Sequence, residues 1–233
     1  MTTPTEIPTI ASTSLEFLRQ LRENNQRDWF SANRPSYEMA KAGLEKFVSQ
    51  LLIEIEKFDN ISGLSAKDCI FRINRDVRFS KNKAPYKTNL AVAVGRGGRQ
   101  SKYLDYYLHL EPGQSFLGGG IYAPTGEQLG KIRQEIDYNV AEVKSIIYEP
   151  TFARYFGEVQ GSKLKTTPKG YNREHPEIEL LRLQQFFFMH AYTDEEVTAP
   201  DFLEKVVQGC VILKPLLAFL NYILFEEVVS EGL

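Results

Sequence analysis

The chain has 233 residues, a formal net charge of −2, 42% hydrophobic residues and 25% charged residues. These values are typical of a soluble globular protein with one large or two small domains, and they argue against indiscriminate nucleic-acid binding by the whole surface. The two cysteines, Cys69 and Cys210, lie far apart in apolar segments. This favours buried free thiols in a reducing cytoplasm, and no spacing typical of metal ligands is present.

The first third of the chain predicts an arm followed by two helices. Residues 1–13 have neither the basic nor the apolar region of a signal peptide, and we expect a disordered N-terminal arm. Ser14 is a candidate cap for the first helix. Asn33, with a proline just inside, opens a second helix that ends near Phe58. Because no linker divides residues 14–233, we expect a single domain.

A basic segment, residues 72–102, is the most unusual stretch of the chain. It carries nine basic side chains and one acid, Asp76, for a net charge of +8, so the rest of the chain carries −10. Such an asymmetry indicates an anionic partner. The basic residues are Arg72, Arg75, Arg78, Lys81, Lys83, Lys87, Arg96, Arg99 and Lys102.

The start of the basic segment alternates between apolar and polar residues, which predicts a strand over residues 71–80. One face would carry Phe71, Ile73, Val77 and Phe79, and the other Arg72, Asn74, Asp76, Arg78 and Ser80, with Arg75 alone breaking the pattern. The polar face offers guanidinium groups suited to carboxylate or phosphate. The alternative is a solvated edge strand whose charges prevent aggregation.

We expect an anion site where this strand meets the loop after it, with a second basic loop, residues 163–173, as a further wall. In a straight strand Arg72 and Arg78 would lie roughly 20 Å apart, so a small ligand would require a bend near Arg75. The candidate ligand-binding residues are Arg72, Asn74, Arg78, Ser80, Lys83, Tyr86, Lys87, Lys165 and Lys169. Tyr86 could equally brace the loop.

Three further strands follow, two of them in a hairpin. Residues 88–94 predict one strand, and residues 103–111 and 114–122 predict a hairpin about Pro112-Gly113. With a two-residue loop His109 faces Phe116, whereas a one-residue slip would turn one strand over.

That register would create a polar floor of Asp105, Tyr107 and His109 beside the glycines of the partner strand, where a ligand could approach closely. The alternative is that aromatic rings cover the glycines. His109 is the one histidine that we consider for acid–base chemistry. His175 is expected to cap a helix, and His190 is expected to pack in or near the sheet.

The rest of the chain predicts mostly helices. A capping box at Thr125 begins a helix that stops before Pro150, a short helix ends near Arg182, and residues 184–191 form a strand. The apolar run 209–225 is shorter than the roughly 20 residues that span a bilayer, and it predicts a buried C-terminal helix rather than a membrane anchor. The fold class is therefore α+β, a largely antiparallel sheet packed against helices.

Three functions remain open. The first is binding of, or action on, a small phosphate- or carboxylate-bearing ligand; the interleaved polar residues favour it. The second is nucleic-acid binding, with Tyr86 or Tyr103 stacking on bases, and the third is recognition of an acidic protein. The sequence predicts no metal site, and it identifies no cofactor, catalytic residue or oligomeric state.

Three blocks of the sequence resemble a widespread bacterial and fungal family known as a domain of unknown function (two-four-six-one). They are FRINRDVRFSKNKAPYKTNL at residues 71–90, FLGGGIYAP at 116–124 and LKTTPKGYNREHPEIELLRL at 164–183. The resemblance extends from about Phe17 to about Phe225 and implies one intact domain. It implies nothing about chemistry, because the family has no established activity, cofactor or catalytic residues.

Overall fold

The computed structural model describes residues 8–61 and 63–225. Its helices are α1 Ser12–Glu23, α2 Arg27–Ala32, α3 Arg34–Glu56, α4 Ala66–Cys69, α5 Gly126–Ile147, α6 Pro150–Phe156, α7 Ile178–Leu181, α8 Asp194–Thr198 and α9 Phe202–Phe225. Its strands are β1 Leu90–Val94, β2 Tyr106–Leu110, β3 Ser115–Ile121 and β4 Phe186–Tyr192. They form one antiparallel sheet in the order β1-β2-β3-β4, and the predicted α+β class is confirmed.

Contacts divide the chain into two compact units. Unit 1 contains the described residues up to Ser101, residues 106–117 and residues 191–211. Unit 2 contains residues 102–105, 118–190 and the described residues from Ile212 onward. The expectation of a single domain over residues 14–233 stays a prediction.

In unit 1, helix α1 packs against α3. The first helix begins at Ser12, two residues before the predicted cap, and Ser14 lies buried inside it. Ile10 is also buried, while residues 1–7 of the predicted arm lie outside the described chain. The stretch expected to be a connector before α3 contains the short helix α2.

Strands β1 and β2 pair antiparallel, with Ala91 opposite His109 and Ala93 opposite Tyr107. Every residue of β1 is buried, so both its faces are covered. The small alanine side chains of β1 therefore lie beside the large rings of Tyr107 and His109 on the same face of the sheet.

The hairpin between β2 and β3 has the predicted two-residue loop. The N–H of Gln114 donates to the C=O of Glu111 at 2.9 Å, and Gly113 has φ +73°, which a glycine at this turn position adopts readily. The rings of His109 and Phe116 stack at 4.9 Å, as the predicted register requires.

In unit 2, the strand glycines are packing sites. A Cβ on Gly118 would lie 2.7 Å from Cζ of Phe187, and one on Gly120 would lie 2.0 Å from the carbonyl oxygen of Phe186. The aromatic alternative is therefore correct at Gly118, where the Phe187 ring covers the glycine. The glycines serve close packing onto β4 rather than the approach of a ligand.

The predicted strand over residues 71–80 is wrong. Around this segment the described chain has isolated bridges only, Ile70 with Val92 and Asn74 with Tyr86. The backbone N–H of Arg78 donates to Oδ1 of Asp76 at 3.2 Å, which turns the chain out of the extended path. The alternation ends there, because Phe79 is 96% exposed instead of buried.

Helix α9 spans Phe202–Phe225 and contains the apolar run 209–225 that predicted a C-terminal helix. By length and composition alone it could cross a membrane, but a single helix of this kind is weak evidence, because core helices of soluble proteins pass the same test. Cys210, Leu213 and Leu216 on this helix are fully buried, as in a core helix.

Candidate functional site

Arg78 and Lys83 stabilise the turn at residues 76–83. Arg78 donates from Nε and Nη2 to the two oxygens of Asp76 at 3.0 and 2.6 Å. The hydrogen bonds from Arg78 lower the pKa of Asp76, and the same pairing raises the pKa of Arg78. Lys83 Nζ donates to the carbonyl oxygens of Val77 and Arg78 at 3.0 and 3.4 Å. Both cations are thus engaged within their own loop.

Tyr86 braces the base of this loop. Its ring is buried and stacks on Phe30 with the centroids 4.0 Å apart. The side-chain amide of Asn25 donates to the C=O of Tyr86 and accepts from its N–H, both at 3.0 Å. Asn74 forms a backbone bridge with Tyr86 and is exposed. Most of the loop is exposed as well, whereas Ser80 is half-buried.

A cationic cleft of about 500 Å³ lies beside the start of the basic segment. Its one acidic lining residue, Glu45, lies 3.7 Å from Lys41 one helical turn earlier on α3. Lys67, Arg72 and Arg99 contribute three further positive charges. The lining residues are Tyr37, Lys41, Glu45, Lys67, Ile70, Phe71, Arg72 and Arg99.

Local structure presents these charges to the cleft. Arg99 follows the tight turn at Gly97, which has φ +97°, and its Nη1 donates to the carbonyl oxygen of Lys67. Arg72 is exposed, and within the part of the chain that the structure describes no carboxylate lies within ion-pair distance of it. The guanidinium of Arg72 is thus available for an anion.

Lys87 lies next to this cleft. Its backbone N–H donates to the C=O of Ile73 at 2.8 Å, which places it opposite the residue after Arg72. Its Nζ is 5.2 Å from the centre of the Phe71 ring. Burial lowers the pKa of Lys87, and the positive charge of Arg72 lowers it further. No acidic side chain among the described residues forms an ion pair with Lys87.

A hydrogen-bonded relay runs along one face of β2. Nε2 of His109 lies 3.0 Å from Oε2 of Glu111, and Nδ1 lies 3.3 Å from the hydroxyl of Tyr107. Because a carboxylate only accepts hydrogen bonds, Nε2 of His109 donates to Glu111, and in the neutral ring Nδ1 accepts from the hydroxyl of Tyr107. Burial raises the pKa of Tyr107, as does the charge of Glu111.

The carboxylate of Glu111 is held by further donors. Thr88 donates from its hydroxyl at 2.7 Å, and Nη2 of Arg22 lies 3.4 Å away, both on Oε1. This network fixes the imidazole of His109 against the Phe116 ring. A carboxylate–imidazole–hydroxyl series of this type can transfer a proton along its length.

Phe71 connects these features. It lines the cationic cleft, lies under the ammonium group of Lys87 and packs edge to face with Tyr107, with ring centroids 6.2 Å apart. Of the sequence-predicted residues, Arg72 lines the cleft and Lys87 lies over the Phe71 ring that lines it too. The same ring contacts Tyr107 of the relay that includes His109.

Several contributors could not be recognised in advance. Lys41 and Lys67 come from α3 and α4, and nothing in their local sequence distinguishes them from other surface lysines. Arg99 belongs to the basic segment, but its approach to Lys67 depends on the turn at Gly97.

The other two candidate lysines, Lys165 and Lys169, lie exposed in a loop of unit 2. Unit 2 also contains a cavity of about 430 Å³ with mostly apolar walls, including Phe186. Its lysine, Lys163, pairs with Glu179 at 3.0 Å, so the cavity lacks the surplus of positive charge seen in unit 1.

The two remaining histidines hold the structure of unit 2. Nδ1 of His175 accepts from the N–H of Glu177 at 3.0 Å, but Glu177 is itself the N-cap residue of α7 and no side chain among the described residues caps this helix, so the predicted capping role of His175 is wrong. The ring of His190 stacks on Tyr155 at 4.0 Å.

Asp105 is unusual, because burial raises its pKa to about 7 and its buried Oδ1 has no hydrogen-bond partner among the described residues. No group of three His, Cys, Asp or Glu side chains in residues 8–61 and 63–225 could hold a metal ion.

The fold and site define an α+β protein with a cationic cleft and an adjacent carboxylate–imidazole–hydroxyl relay. The chain belongs to the family described as Conserved hypothetical protein (DUF2461), which matches residues 13–219. The match covers most of the chain and confirms the resemblance carried by the three sequence blocks. Comparisons with curated proteins and with solved structures find no significant match.

Proposed function

We propose that the protein binds a small phosphate- or carboxylate-bearing molecule in the cationic cleft, with Arg72 as the principal contact. The observation that carries this proposal is the uncompensated charge of the cleft. Lys67, Arg72 and Arg99 line it, and its single acid, Glu45, is already paired with Lys41. A guanidinium group forms two parallel hydrogen bonds to a carboxylate or phosphate, which gives it both strength and directionality.

The size of the cleft supports a small ligand. Its volume of about 500 Å³ falls within the range of about 300–1,000 Å³ that is usual for small-molecule sites. Aromatic and apolar walls from Tyr37, Ile70 and Phe71 would contact the uncharged part of the ligand.

The proposal narrows the set of residues expected from the sequence. Arg78 and Lys83 are engaged within their loop, and Tyr86 is buried, so the ligand contacts centre on Arg72, with Lys87 next to the cleft over the Phe71 ring. Lys67 and Arg99 are two further proposed ligand contacts, which were not among the candidate residues expected from the sequence. The nature of the ligand determines whether the protein also catalyses a reaction. For such a reaction the neighbouring relay offers a path for proton transfer.

Calorimetric titration with phosphate, sulfate and citrate tests the proposal. We expect saturable binding that weakens with added sodium chloride, and weaker binding in a Lys67→Gln variant. A Lys131→Gln variant is the control, because Lys131 is an exposed lysine on α5 in unit 2. Equal anion binding by both variants and the wild type would place the anions elsewhere.

A second candidate function, binding of single-stranded nucleic acid, is favoured by one observation. Phe79 lies in the turn at residues 76–83 and is 96% exposed, and the guanidinium of Arg78 lies 5.9 Å from its ring centre. An exposed ring among cations suits base stacking together with phosphate contacts. Tyr86 is buried and is not available for this role.

Fluorescence anisotropy with a labelled single-stranded oligonucleotide tests this second candidate. Phe79→Ser should weaken binding, whereas Tyr122→Ser, which removes another exposed ring, should not. Affinity should fall steeply with salt. Equal affinity of the two variants and the wild type would refute it. Recognition of an acidic protein stays a prediction.

We also infer a reducing, cytoplasmic location. Cys69 and Cys210 are both buried, and burial strongly raises the pKa of the Cys210 thiol. Such thiols behave as small apolar side chains and fit a compartment where disulfides do not form. Cell fractionation that places the protein in an oxidising compartment would contradict this inference.

A further inference from the structure

We propose that Lys87 is a covalent attachment site for an aldehyde or ketone that also carries a phosphate or carboxylate group. The ε-amino group would form an imine with the carbonyl carbon while Arg72 holds the anionic group. This inference rests on the proposed function, because Arg72 supplies the anion contact in both. It adds to that function the reactive group of the ligand and the residue with which it reacts.

The position of Lys87 distinguishes it from the other lysines of the basic segment. It is half-buried over the Phe71 ring, whereas Lys81 and Lys83 are exposed. Lys83 is engaged with two carbonyl oxygens of its own loop. Lys87 has neither a carbonyl acceptor nor a carboxylate partner within the described chain.

The surroundings of Lys87 lower the pKa of its amino group. A lysine amine is a nucleophile only when it is deprotonated, and desolvation or a nearby cation increases that fraction at neutral pH. Both influences act here, since burial and the charge of Arg72 each lower the pKa of Lys87.

Arg72 and Lys87 are placed to act on one molecule. The hydrogen bond from the N–H of Lys87 to the C=O of Ile73 holds Lys87 opposite Ile73, so its side chain lies on the face of this pair that also carries Phe71. The Phe71 ring lines the cleft together with Arg72, and Nζ of Lys87 lies 5.2 Å from its centre. A ligand anchored by its anion at Arg72 would reach Lys87 across this ring.

The chemical step is a condensation without oxidation or reduction. The nitrogen lone pair of Lys87 attacks the carbonyl carbon, a carbon–nitrogen bond forms, and the carbonyl oxygen takes up a proton to give a carbinolamine. Loss of that oxygen as water leaves the imine. One water molecule is released for each imine formed, and no co-reactant is required.

Trapping the imine tests the inference. Wild-type protein is incubated with pyridoxal 5′-phosphate or with pyridoxal, reduced with borohydride and mapped by peptide mass spectrometry. We expect labelling of Lys87 before the exposed Lys81 and Lys83, faster labelling with the phosphate-bearing probe, and protection by inorganic phosphate. Labelling that simply follows solvent exposure would overturn the inference.

Two variants complete the test. Lys87→Met keeps an unbranched apolar stem over Phe71 and should lose the early label, while its melting temperature confirms that it folds. Arg72→Gln should still be labelled at Lys87, but it should lose the preference for the phosphate-bearing probe.

The two proposals fail differently. If phosphate binds the wild type in calorimetry while Lys87 stays unlabelled, the imine is refuted and the anion site stands. If Lys87 is labelled equally by both probes and phosphate gives no protection, the anionic part of the ligand class is refuted together with the proposed function.

Discussion

The Nζ atom of Lys87 lies 5.2 Å from the centre of the Phe71 ring. The same ring lines the cationic cleft and contacts Tyr107 of the relay. A cation over an aromatic face is attracted by the ring, but here burial and the nearby charge of Arg72 oppose protonation.

Lys87→Met should raise the free energy of unfolding at neutral pH. The folded pKa of Lys87 is lower than its unfolded value, so below both values the folded state holds a proton that its surroundings disfavour. As the pH rises through the folded pKa towards the unfolded value, Lys87 loses this proton in the wild type. Its unfavourable contribution to the free energy of unfolding then disappears, and the stability advantage of the variant should shrink. Urea unfolding at pH 7 and pH 10 measures the difference. A variant less stable at pH 7, or an advantage that does not change with pH, would contradict the account.

Glu111→Gln should destabilise the protein by about 2 kcal/mol, because it weakens a mostly buried acceptor of hydrogen bonds from His109 and Thr88. The matched control is Glu16→Gln, an exposed glutamate on α1 that also pairs with an arginine, and it should leave stability unchanged. Urea unfolding of both variants measures the two changes in the free energy of unfolding. Equal effects would mean that the relay contributes no more to stability than a surface pair.

Gly120→Ala should cost on the order of 3 kcal/mol or prevent folding. Gly120 has φ +107°, and a Cβ there would meet the carbonyl oxygen of Phe186 at 2.0 Å, so backbone strain and a clash add together. Gly113→Ala separates the two effects, since Gly113 also has a positive φ but has open space around it. Its cost should be about 1 kcal/mol. Similar losses in urea unfolding would show that the packing of Gly120 on β4 is unimportant.

Local sequence signals were reliable where the structure depends on neighbouring residues. The capping box at Thr125 is present, because it needs only a side chain three residues later. The Pro112-Gly113 turn likewise follows from the glycine.

The structure of the basic segment depends on contacts that its local sequence does not reveal. Its charge and composition predicted an anion site, which stays a prediction, and of the residues expected there Arg72 lines the cleft. Alternation alone could not reveal that Asp76 would bind the N–H of Arg78 and turn the chain. Nor could it reveal that Lys41 and Lys67 would reach the cleft from two helices, since that depends on tertiary packing.

The central claim is that the positive charge of the cleft, and not that of the basic segment in general, binds an anion. Arg72 and Arg78 give a matched pair for testing it, because both are exposed arginines of the same segment but only Arg72 lines the cleft. Arg78 is held by Asp76 in an exposed pair with 77% of its side chain accessible, so its loss should leave the melting temperature unchanged.

The most direct measurement is the rise in melting temperature on adding phosphate, compared among wild type, Arg72→Gln and Arg78→Gln at constant ionic strength. A ligand that binds only the folded state raises this temperature in proportion to its occupancy. We predict that the rise is lost in Arg72→Gln and retained in Arg78→Gln. A rise of the same size in all three proteins, or none in the wild type, would contradict the account.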